Sequence, residues 1–315
     1  MSKDGRRKAG LWISGAAIVC LGLYLGVGWG REEIDQEIRQ AQGGSYLALD
    51  QGSVHYQWIG PEHGDLVVLI HGFSVPSYVW DPTVEALTSA GFQVLRYDLY
   101  GRGFSDRPQA EYDLQFFTLQ LEELLSGLQV DRPVHVVGLS LGGPIAARFS
   151  VRNPEKVHSV TLIAPDAGQL SPGDIFPLQV PGLGEFITRV YLVPVLLPGG
   201  QSDDFYRSER FPDWEERYRD QIQYRGFGRA VLSTNRNLPD IDPLEEYSRL
   251  AELDPPVLLI WGREDGTFSR QDMREVQHRF PNLTFVPVPQ AGHLPHLEGP
   301  ELVHDALISF LRVQR

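Results

Sequence analysis

The chain has 315 residues, of which 42% are hydrophobic, enough for one large α/β domain with a sizeable core. Its net charge of -13 at pH 7 argues against a nucleic-acid partner, which would require a basic surface. Because Cys20 is the single cysteine, an intramolecular disulfide and a cysteine metal cluster are excluded.

The N-terminal region has the pattern of a membrane anchor. A basic tail, residues 1–8, precedes an uncharged apolar run, Ala9–Gly30, of about the length needed to cross a bilayer. The alternatives are a cleaved signal peptide and a buried core helix, but no small-x-small cleavage site follows the run. We therefore predict an uncleaved, single-pass transmembrane helix with a cytoplasmic N-terminus and an extracytoplasmic remainder. Residues 31–44 are polar and form the predicted linker.

From Ser45 onwards, predicted strands alternate with predicted helices. Two alternating segments, Ser45–Leu49 and Val54–Trp58, predict a hairpin, and the apolar run Leu66–Ile70 predicts a strand buried on both faces. Further strands are predicted at Gln93–Tyr97, from Val134 to the Ser140 turn, at Val157–Ile163, Val257–Trp261 and Leu283–Val288. Helices are predicted at Trp80–Ala90, Leu114–Leu128, Pro144–Val151, Arg270–Phe280 and Pro300–Val313. This alternation predicts a mostly parallel central sheet of about eight strands with helices on both faces.

The alternation stops between Asp166 and Leu250. Prolines divide this segment into apolar pieces such as Phe186–Leu197, and a charged helical stretch, Trp214–Gln223, follows. A disordered linker would not contain so many Leu, Val, Phe and Tyr residues. We predict a helical insertion over the edge of the sheet.

The strand that begins at Val134 ends in a Gly-x-Ser-x-Gly motif, followed by a helix-compatible segment. So tight a turn pushes its apex, Ser140, into a sparsely populated backbone conformation, and Gly138 and Gly142 avoid Cβ clashes. Ser140 would then present its hydroxyl at the sheet edge, where the N–H of Leu141 can stabilise an oxyanion. The alternative is a glycine-rich turn with a serine of no special role.

A serine hydroxyl is a weak nucleophile that needs a base, and the base needs an orienting carboxylate. Asp265 follows the strand Val257–Trp261, and His293 follows the last predicted strand. Carboxyl ends of parallel strands meet at one edge of a sheet, so both side chains are predicted to lie near Ser140. Glu264 and His296 are the alternatives for these two roles.

These motifs together resemble those of the α/β-hydrolase superfamily, from about Tyr46 to the C-terminus. They are His-Gly-Phe at His71–Phe73, Asp-x-x-Gly-x-Gly-x-Ser at Asp98–Ser105, Gly-x-Ser-x-Gly around Ser140, Trp-Gly-x-x-Asp at Trp261–Asp265, and Gly-His at Gly292–His293. The resemblance implies the α/β-hydrolase fold, with a core of residues 45–165 and 251–315 and a cap, or lid, of residues 166–250.

The resemblance also implies roles for individual residues. Ser140 is the implied nucleophile, His293 the general base and acid, and Asp265 the orienting carboxylate. The amides of Phe73 and Leu141 form the implied oxyanion hole. The family pattern favours Asp265 over Glu264 and His293 over His296, and gives His71 and Asp98 structural roles. No metal or organic cofactor is required.

The implied reaction is hydrolysis of carboxylic esters through an acyl-enzyme. Relatives that cleave carbon–halogen bonds or epoxides have aspartate at the elbow, so Ser140 argues against those chemistries. The apolar run Val190–Leu197, together with the anchor, favours lipid-like esters, similar to the membrane-anchored monoacylglycerol-lipase-like branch. The alternatives are carbon–carbon bond hydrolysis, cofactor-free haloperoxidase or aminopeptidase activity, a non-catalytic binding protein of the same fold, and a membrane-tethered interaction protein.

Overall fold

The computed structural model describes residues 22, 24, 26 and 32–314. The basic tail and the predicted transmembrane segment, Ala9–Gly30, lie outside the described residues except for Gly22, Tyr24 and Gly26. Within the described part of the chain, no helix is both long and apolar enough to cross a membrane. The ring of Tyr24 stacks on Phe186, with 6.4 Å between the ring centroids.

A single sheet of eight strands forms the centre of the described structure. The strands are β1 Ser45–Leu49, β2 Gly52–Ile59, β3 Leu66–Ile70, β4 Gln93–Tyr97, β5 Val134–Leu139, β6 Val157–Ile163, β7 Val257–Gly262 and β8 Leu283–Val288. Their order across the sheet is β1-β2-β4-β3-β5-β6-β7-β8. The β1–β2 and β2–β4 pairs are antiparallel and the pairs from β4 to β8 are parallel, which confirms the predicted mostly parallel sheet.

The hydrophobic core lies on both faces of this sheet. Successive side chains of a strand point to opposite faces, so Val68 and Ile70 pack in one apolar cluster while Val67 and Leu69 pack in the other. A strand that is covered on both faces must be apolar at every position, which is why Leu66–Ile70 has no alternation.

Helices cover both faces of the sheet. They are α1 Gln36–Ala41, α2 Asp81–Ser89, α3 Leu114–Gly127, α4 Gly142–Arg152, α5 Leu183–Ile187, α6 Leu197–Gly199, α7 Trp214–Ile222, α8 Phe227–Asn237, α9 Pro243–Glu252, α10 Arg270–Arg279, α11 Pro295–Glu298 and α12 Pro300–Val313. Thr188–Leu196 is a π-helical segment, and short 3₁₀ turns occupy Ser77–Trp80, Pro154–Lys156, Gly200–Asp204, Ser208–Arg210 and Leu238–Asp240. In α3 the buried apolar residues include Leu114, Phe117, Leu121, Leu124 and Leu125, whose spacing places them on one face of the helix.

Helices, with no strand of the sheet among them, connect β6 to β7 in the described chain. The last of them, α9, packs against α4 and α10 of the core. The buried Glu246 of α9 also pairs with Arg148 of α4, at 2.5 Å. We keep residues 166–250 as the proposed cap, and α9 is one of the helices that attach this segment to the core.

The strand order reverses direction at β3, because β4 lies on one side of it and β5 on the other. Loops that leave two such neighbouring strands diverge, and ligands of open α/β sheets bind in the crevice between them. The loop after β3 begins at His71, and the turn after β5 carries Ser140. The fold therefore places the Ser140 turn beside a preformed crevice.

We expect a methyl group at position 142 to disrupt this arrangement. A Cβ there would collide with the main-chain oxygen of Ile70, so Gly142→Ala forces β3 or the turn to move. Such overpacking costs about 1–3 kcal/mol. The measurement is the free energy of unfolding from urea titration, with Gly266→Ala as a control because no atom lies within 4 Å of that added Cβ. Equal stability of the two variants would contradict the close packing.

Candidate active site

The backbone of Ser140 is held in the left-handed region, with φ of 51°. Non-glycine residues adopt this conformation only when the surrounding structure enforces it. Here the Ser140 N–H donates to the oxygen of Ile163 at 3.1 Å, and its carbonyl accepts from Gly143 at 2.8 Å and Asp166 at 3.0 Å. These bonds to β6 and α4 fix the turn, so the side chain projects from the carboxyl end of the sheet.

The loop after β3 passes within contact distance of the Ser140 hydroxyl. A Cβ built on Gly72 would lie 3.1 Å from the Cβ of Ser140 and 3.6 Å from its Oγ. A side chain at position 72 would thus occupy the space beside the hydroxyl.

His293 and Asp265 form a hydrogen-bonded pair. The imidazole Nδ1 lies 3.1 Å from Oδ2 of Asp265, whose side chain is fully buried. The other carboxylate oxygen accepts the N–H groups of Thr267 at 2.8 Å and Phe268 at 3.2 Å. Because Oδ1 accepts these two N–H groups, Oδ2 is the oxygen that faces the imidazole. Nδ1 is paired with Oδ2, so Nε2 is the ring nitrogen available to a ligand.

The surroundings of His293 favour its protonated form. Burial lowers the pKa of the imidazole, but the hydrogen bond and charge of Asp265, with smaller contributions from Asp204 and Asp166, raise it above the ordinary 6.5 overall. Burial in turn raises the pKa values of Asp204 and Asp166 to about 6 each, although the His293 charge opposes both shifts. A base flanked by carboxyl groups is stabilised once it has accepted a proton.

Glu264 and His296, the alternatives to Asp265 and His293, make other contacts. The carboxylate of Glu264 accepts a hydrogen bond from the N–H of Ala291 at 3.2 Å. None of the described hydrogen bonds joins Glu264 to His293. The imidazole of His296 is fully buried against Trp80, and its Nε2 donates to the oxygen of Val79 at 3.1 Å. Burial lowers the pKa of His296 to about 3, so it stays neutral. The structure therefore brings Asp265 and His293 together and leaves Glu264 and His296 apart.

The two predicted oxyanion-hole amides are both without an acceptor. Among the described hydrogen bonds, none uses the N–H of Phe73 or of Leu141. The buried His71 holds the loop that carries Phe73, because its Nδ1 donates to the oxygen of Gly72 at 2.9 Å and its Nε2 accepts from Leu99 at 2.9 Å. Burial lowers the pKa of His71 to about 4, which keeps this neutral arrangement across the physiological range.

Asp98 and Arg102 stabilise the loops around the site. Asp98 accepts the N–H groups of Ser77 at 2.8 Å and Phe104 at 2.9 Å and pairs with His55, so it fixes the Gly101–Gly103 turn. The fully buried Arg102 donates to the oxygen of Phe73 at 2.7 Å and to Oγ1 of Thr234 in α8 at 2.9 Å. Sequence reasoning missed Arg102, because only the tertiary fold brings the loop after β3 and α8 to its guanidinium.

Glu298 was also missed, and it joins the insertion to the histidine loop. Its buried carboxylate accepts the N–H groups of Gly292 at 2.6 Å, Tyr206 at 3.0 Å and Arg207 at 2.8 Å. In addition, the N–H of His293 donates to the oxygen of Asp204 at 2.7 Å. The segment from Asp204 to Arg207 is therefore fastened directly to the loop that carries the imidazole.

Ser140 and His293 line one cavity with a volume of about 330 Å³. Its wall is mostly apolar and includes Phe73, Val75, Leu139, Leu196, Leu197 and Leu294. A larger cavity of about 640 Å³ is lined by residues that include Tyr24 and Arg189, but neither Ser140 nor His293 lines it. Within the described residues, no group of three or more His, Cys, Asp and Glu side chains is placed to hold a metal ion.

We expect the His293 imidazole to titrate above pH 6.5, and its pKa to fall in Asp265→Asn, which removes the neighbouring negative charge. The measurement is NMR detection of the ring resonances as a function of pH. Glu264→Gln is the matched control and leaves the His293 pKa unchanged. A His293 pKa that is the same in wild type and Asp265→Asn contradicts the coupling of the pair.

The comparisons with known proteins agree with this architecture. A family model described as alpha/beta hydrolase fold matches residues 65–300. Carboxylesterase YbfK of Bacillus subtilis (strain 168) is 25% identical over 269 residues, covering 84% of this chain and 86% of that protein. The 2-hydroxy-6-oxononadienedioate/2-hydroxy-6-oxononatrienedioate hydrolase of Paraburkholderia xenovorans (strain LB400) is 24% identical over 293 residues, covering 87% and 97%.

Solved structures show the same fold. The crystal structure of the enol-lactonase from Burkholderia xenovorans LB400 matches with a TM-score of 0.74 at 24% identity, over 85% of this chain and 100% of that one. With the family model matched across most of the sheet and the site, this chain belongs to the alpha/beta hydrolase fold family.

Proposed function

We propose that the protein is a serine hydrolase that cleaves carboxylic esters with Ser140, His293 and Asp265. The observation that carries the proposal is the common cavity of Ser140 and His293, with Asp265 hydrogen-bonded behind the imidazole. The amides of Phe73 and Leu141, which have no acceptor in the part of the chain that the structure describes, support the same proposal, because they can supply donors for an oxyanion.

In the proposed reaction, Oγ of Ser140 attacks the ester carbonyl while Nε2 of His293 takes the hydroxyl proton. The carbonyl oxygen becomes an oxyanion that accepts hydrogen bonds from Phe73 and Leu141. When the C–O bond breaks, His293 gives its proton to the leaving alcohol, and an acyl group remains on Ser140. Water then attacks this acyl-enzyme with His293 again as base, which releases the acid and regenerates the serine. The buried carboxylate of Asp265 holds the imidazole tautomer and stabilises its charged form.

The charge of the cavity favours neutral esters over anionic substrates. No Lys or Arg occurs among the described residues that line it, whereas Asp204 does. The name of the Paraburkholderia xenovorans relative describes a substrate with two carboxylates. A carboxylate placed in this cavity would meet the negative Asp204 without a Lys or Arg to neutralise it, which is costly in a poorly solvated site. Ester hydrolysis is therefore the better proposal than carbon–carbon cleavage of such a dioate.

The finer proposal is a lipid-like, monoacylglycerol-type ester with an acyl chain of medium length. The apolar wall supports an acyl chain, while a volume of about 330 Å³ holds about ten water-sized groups and limits its length. The apolar run Val190–Leu197 contributes only in part. Leu196 and Leu197 line the cavity, whereas Leu192 is buried in the core and is not among the lining residues.

A fluorophosphonate probe is expected to label wild-type protein and to leave Ser140→Ala unlabelled, because the probe reacts with an activated serine hydroxyl. Asp265→Asn should lower kcat by about 10⁴-fold, since the imidazole then takes the wrong tautomer. Glu264→Gln is the control and should retain near wild-type kcat. Labelling of Ser140→Ala, or equal losses in the two carboxylate variants, would sink the assignment.

We expect kcat/KM on p-nitrophenyl esters to rise by about fourfold per methylene, or about 0.8 kcal/mol, until the cavity is filled at a medium chain length. A terminal carboxylate on the acyl chain should reduce kcat/KM. Leu196→Asp should depress activity on octanoate more than on acetate. Val195→Asp is the control, because Val195 is 52% exposed and is not among the cavity-lining residues. A wild-type protein that prefers acetate esters would contradict the lipid-like substrate and indicate a general esterase.

We also propose that Ala9–Gly30 is a retained membrane anchor that places the catalytic domain on the extracytoplasmic side. The basic flank and uncharged run support this proposal. Membranes washed with carbonate should retain the full-length chain, and Ile18→Arg combined with Leu21→Arg should release it, because two charges make insertion unfavourable. A shortened soluble form that starts near Gly30 would indicate cleavage instead.

A further inference from the structure

Asp204 is the only charged side chain besides His293 among the described residues that line the catalytic cavity. Its main chain is fixed, because its carbonyl oxygen accepts the N–H of His293 at 2.7 Å. The following residues Tyr206 and Arg207 are held by Glu298, at 3.0 and 2.8 Å. The backbone that carries the carboxylate is therefore hydrogen-bonded to the core at Asp204, Tyr206 and Arg207.

No described hydrogen bond uses the side-chain carboxylate of Asp204 as an acceptor, although it lines a cavity with mostly apolar walls. The neighbouring Gln201 does not serve it, since its Nε2 donates to the oxygen of Leu197 at 3.1 Å. A carboxylate in a poorly solvated environment is unfavourable until a donor reaches it. The side chain is therefore suited to accept a hydrogen bond from a bound ligand.

The position of Asp204 indicates which part of the ester it meets. In the proposed reaction, His293 must deliver a proton to the leaving alcohol, so the alcohol lies on the imidazole side of the scissile carbonyl. Asp204 is bonded through its main chain to His293, and the charge of its carboxylate acts on the imidazole. Asp204 therefore faces the alcohol part, while the apolar wall around Leu196 and Leu197 is available to the acyl part.

We infer that Asp204 is a specificity-determining residue that accepts a hydrogen bond from a free hydroxyl on the alcohol part of the substrate, so that the site selects polyol-type esters. This inference rests on the proposed function. A hydroxyl fits better than an ammonium group, because bringing a cation into an apolar cavity with one carboxylate incurs a larger desolvation cost. The same carboxylate disfavours alcohols that carry a negative charge.

The experiment compares esters that differ in one terminal group. Propyl butanoate and 2-hydroxyethyl butanoate have nearly the same size, and 2-(trimethylammonio)ethyl butanoate adds a cation. Initial rates are followed by titration of the released acid at pH 8, and each kcat/KM is divided by the alkaline hydrolysis rate of that ester. This division removes differences in leaving-group reactivity.

Wild type should prefer the hydroxyethyl ester over the propyl ester by about tenfold or more, as expected for a hydrogen bond to a charged acceptor. Asp204→Leu removes the acceptor and should bring this ratio close to one. Asp204→Asn keeps the shape and an acceptor oxygen but loses the charge, so it should lower the ratio several-fold. Asp203→Asn is the matched control, since the neighbouring Asp203 is exposed and is not among the lining residues, and it should leave the ratio unchanged.

Two outcomes overturn the inference. One is a hydroxyethyl-to-propyl ratio that Asp204→Asn and Asp204→Leu leave unchanged, in variants whose fluorophosphonate labelling shows an intact site. The other is a wild type that prefers the trimethylammonio ester, which would indicate a cation site instead. A wild type that hydrolyses none of the three esters would refute the proposed function itself, which separates the two failures.

Discussion

The structure around the site depends on one tight connection, the turn between β5 and α4. It holds Ser140 at a φ of 51°, a conformation that side chains rarely adopt. The turn requires glycine at two positions. A Cβ at position 138 would collide with the main-chain oxygen of Gly142, and a Cβ at position 142 would collide with that of Ile70. The turn also places the N–H of Leu141, which has no acceptor among the described hydrogen bonds, at the start of α4, where the helix dipole favours negative charge. Backbone strain, a hydroxyl at the crevice and the proposed oxyanion donor thus arise from the same few residues.

The rest of the site is held by buried polar groups that connect distant segments. Arg102 joins the Phe73 loop to α8, and Glu298 joins the His293 loop to the segment from Asp204 to Arg207. Hydrogen bonds to charged groups are stronger than those between neutral groups, and losing one partner of a buried group is costly. The segment between β6 and β7 is therefore hydrogen-bonded both to the loop that carries Phe73 and to the loop that carries His293.

Much of this arrangement could be predicted from the sequence, because it depends on local patterns. Apolar runs such as Leu66–Ile70 predict buried strands, and the carboxyl ends of neighbouring parallel strands share an edge, which brings Asp265 to 3.1 Å from His293. The contributions of Arg102, Asp204 and Glu298 depend instead on contacts between segments far apart in the sequence. The apolar run Val190–Leu197 lines the cavity only in part, because the helical segment directs Leu192 to the core and Leu196 to the cavity.

The central claim is that Ser140, His293 and the amides of Phe73 and Leu141 form one catalytic unit. A crystal structure of the protein after reaction with a phosphonate ester tests this most directly, since the adduct resembles the tetrahedral intermediate. The account predicts phosphorus bonded to Oγ of Ser140, with one phosphonyl oxygen about 2.7–3.1 Å from both amide nitrogens. An adduct on another residue, or an oxygen directed away from both amides, would contradict it.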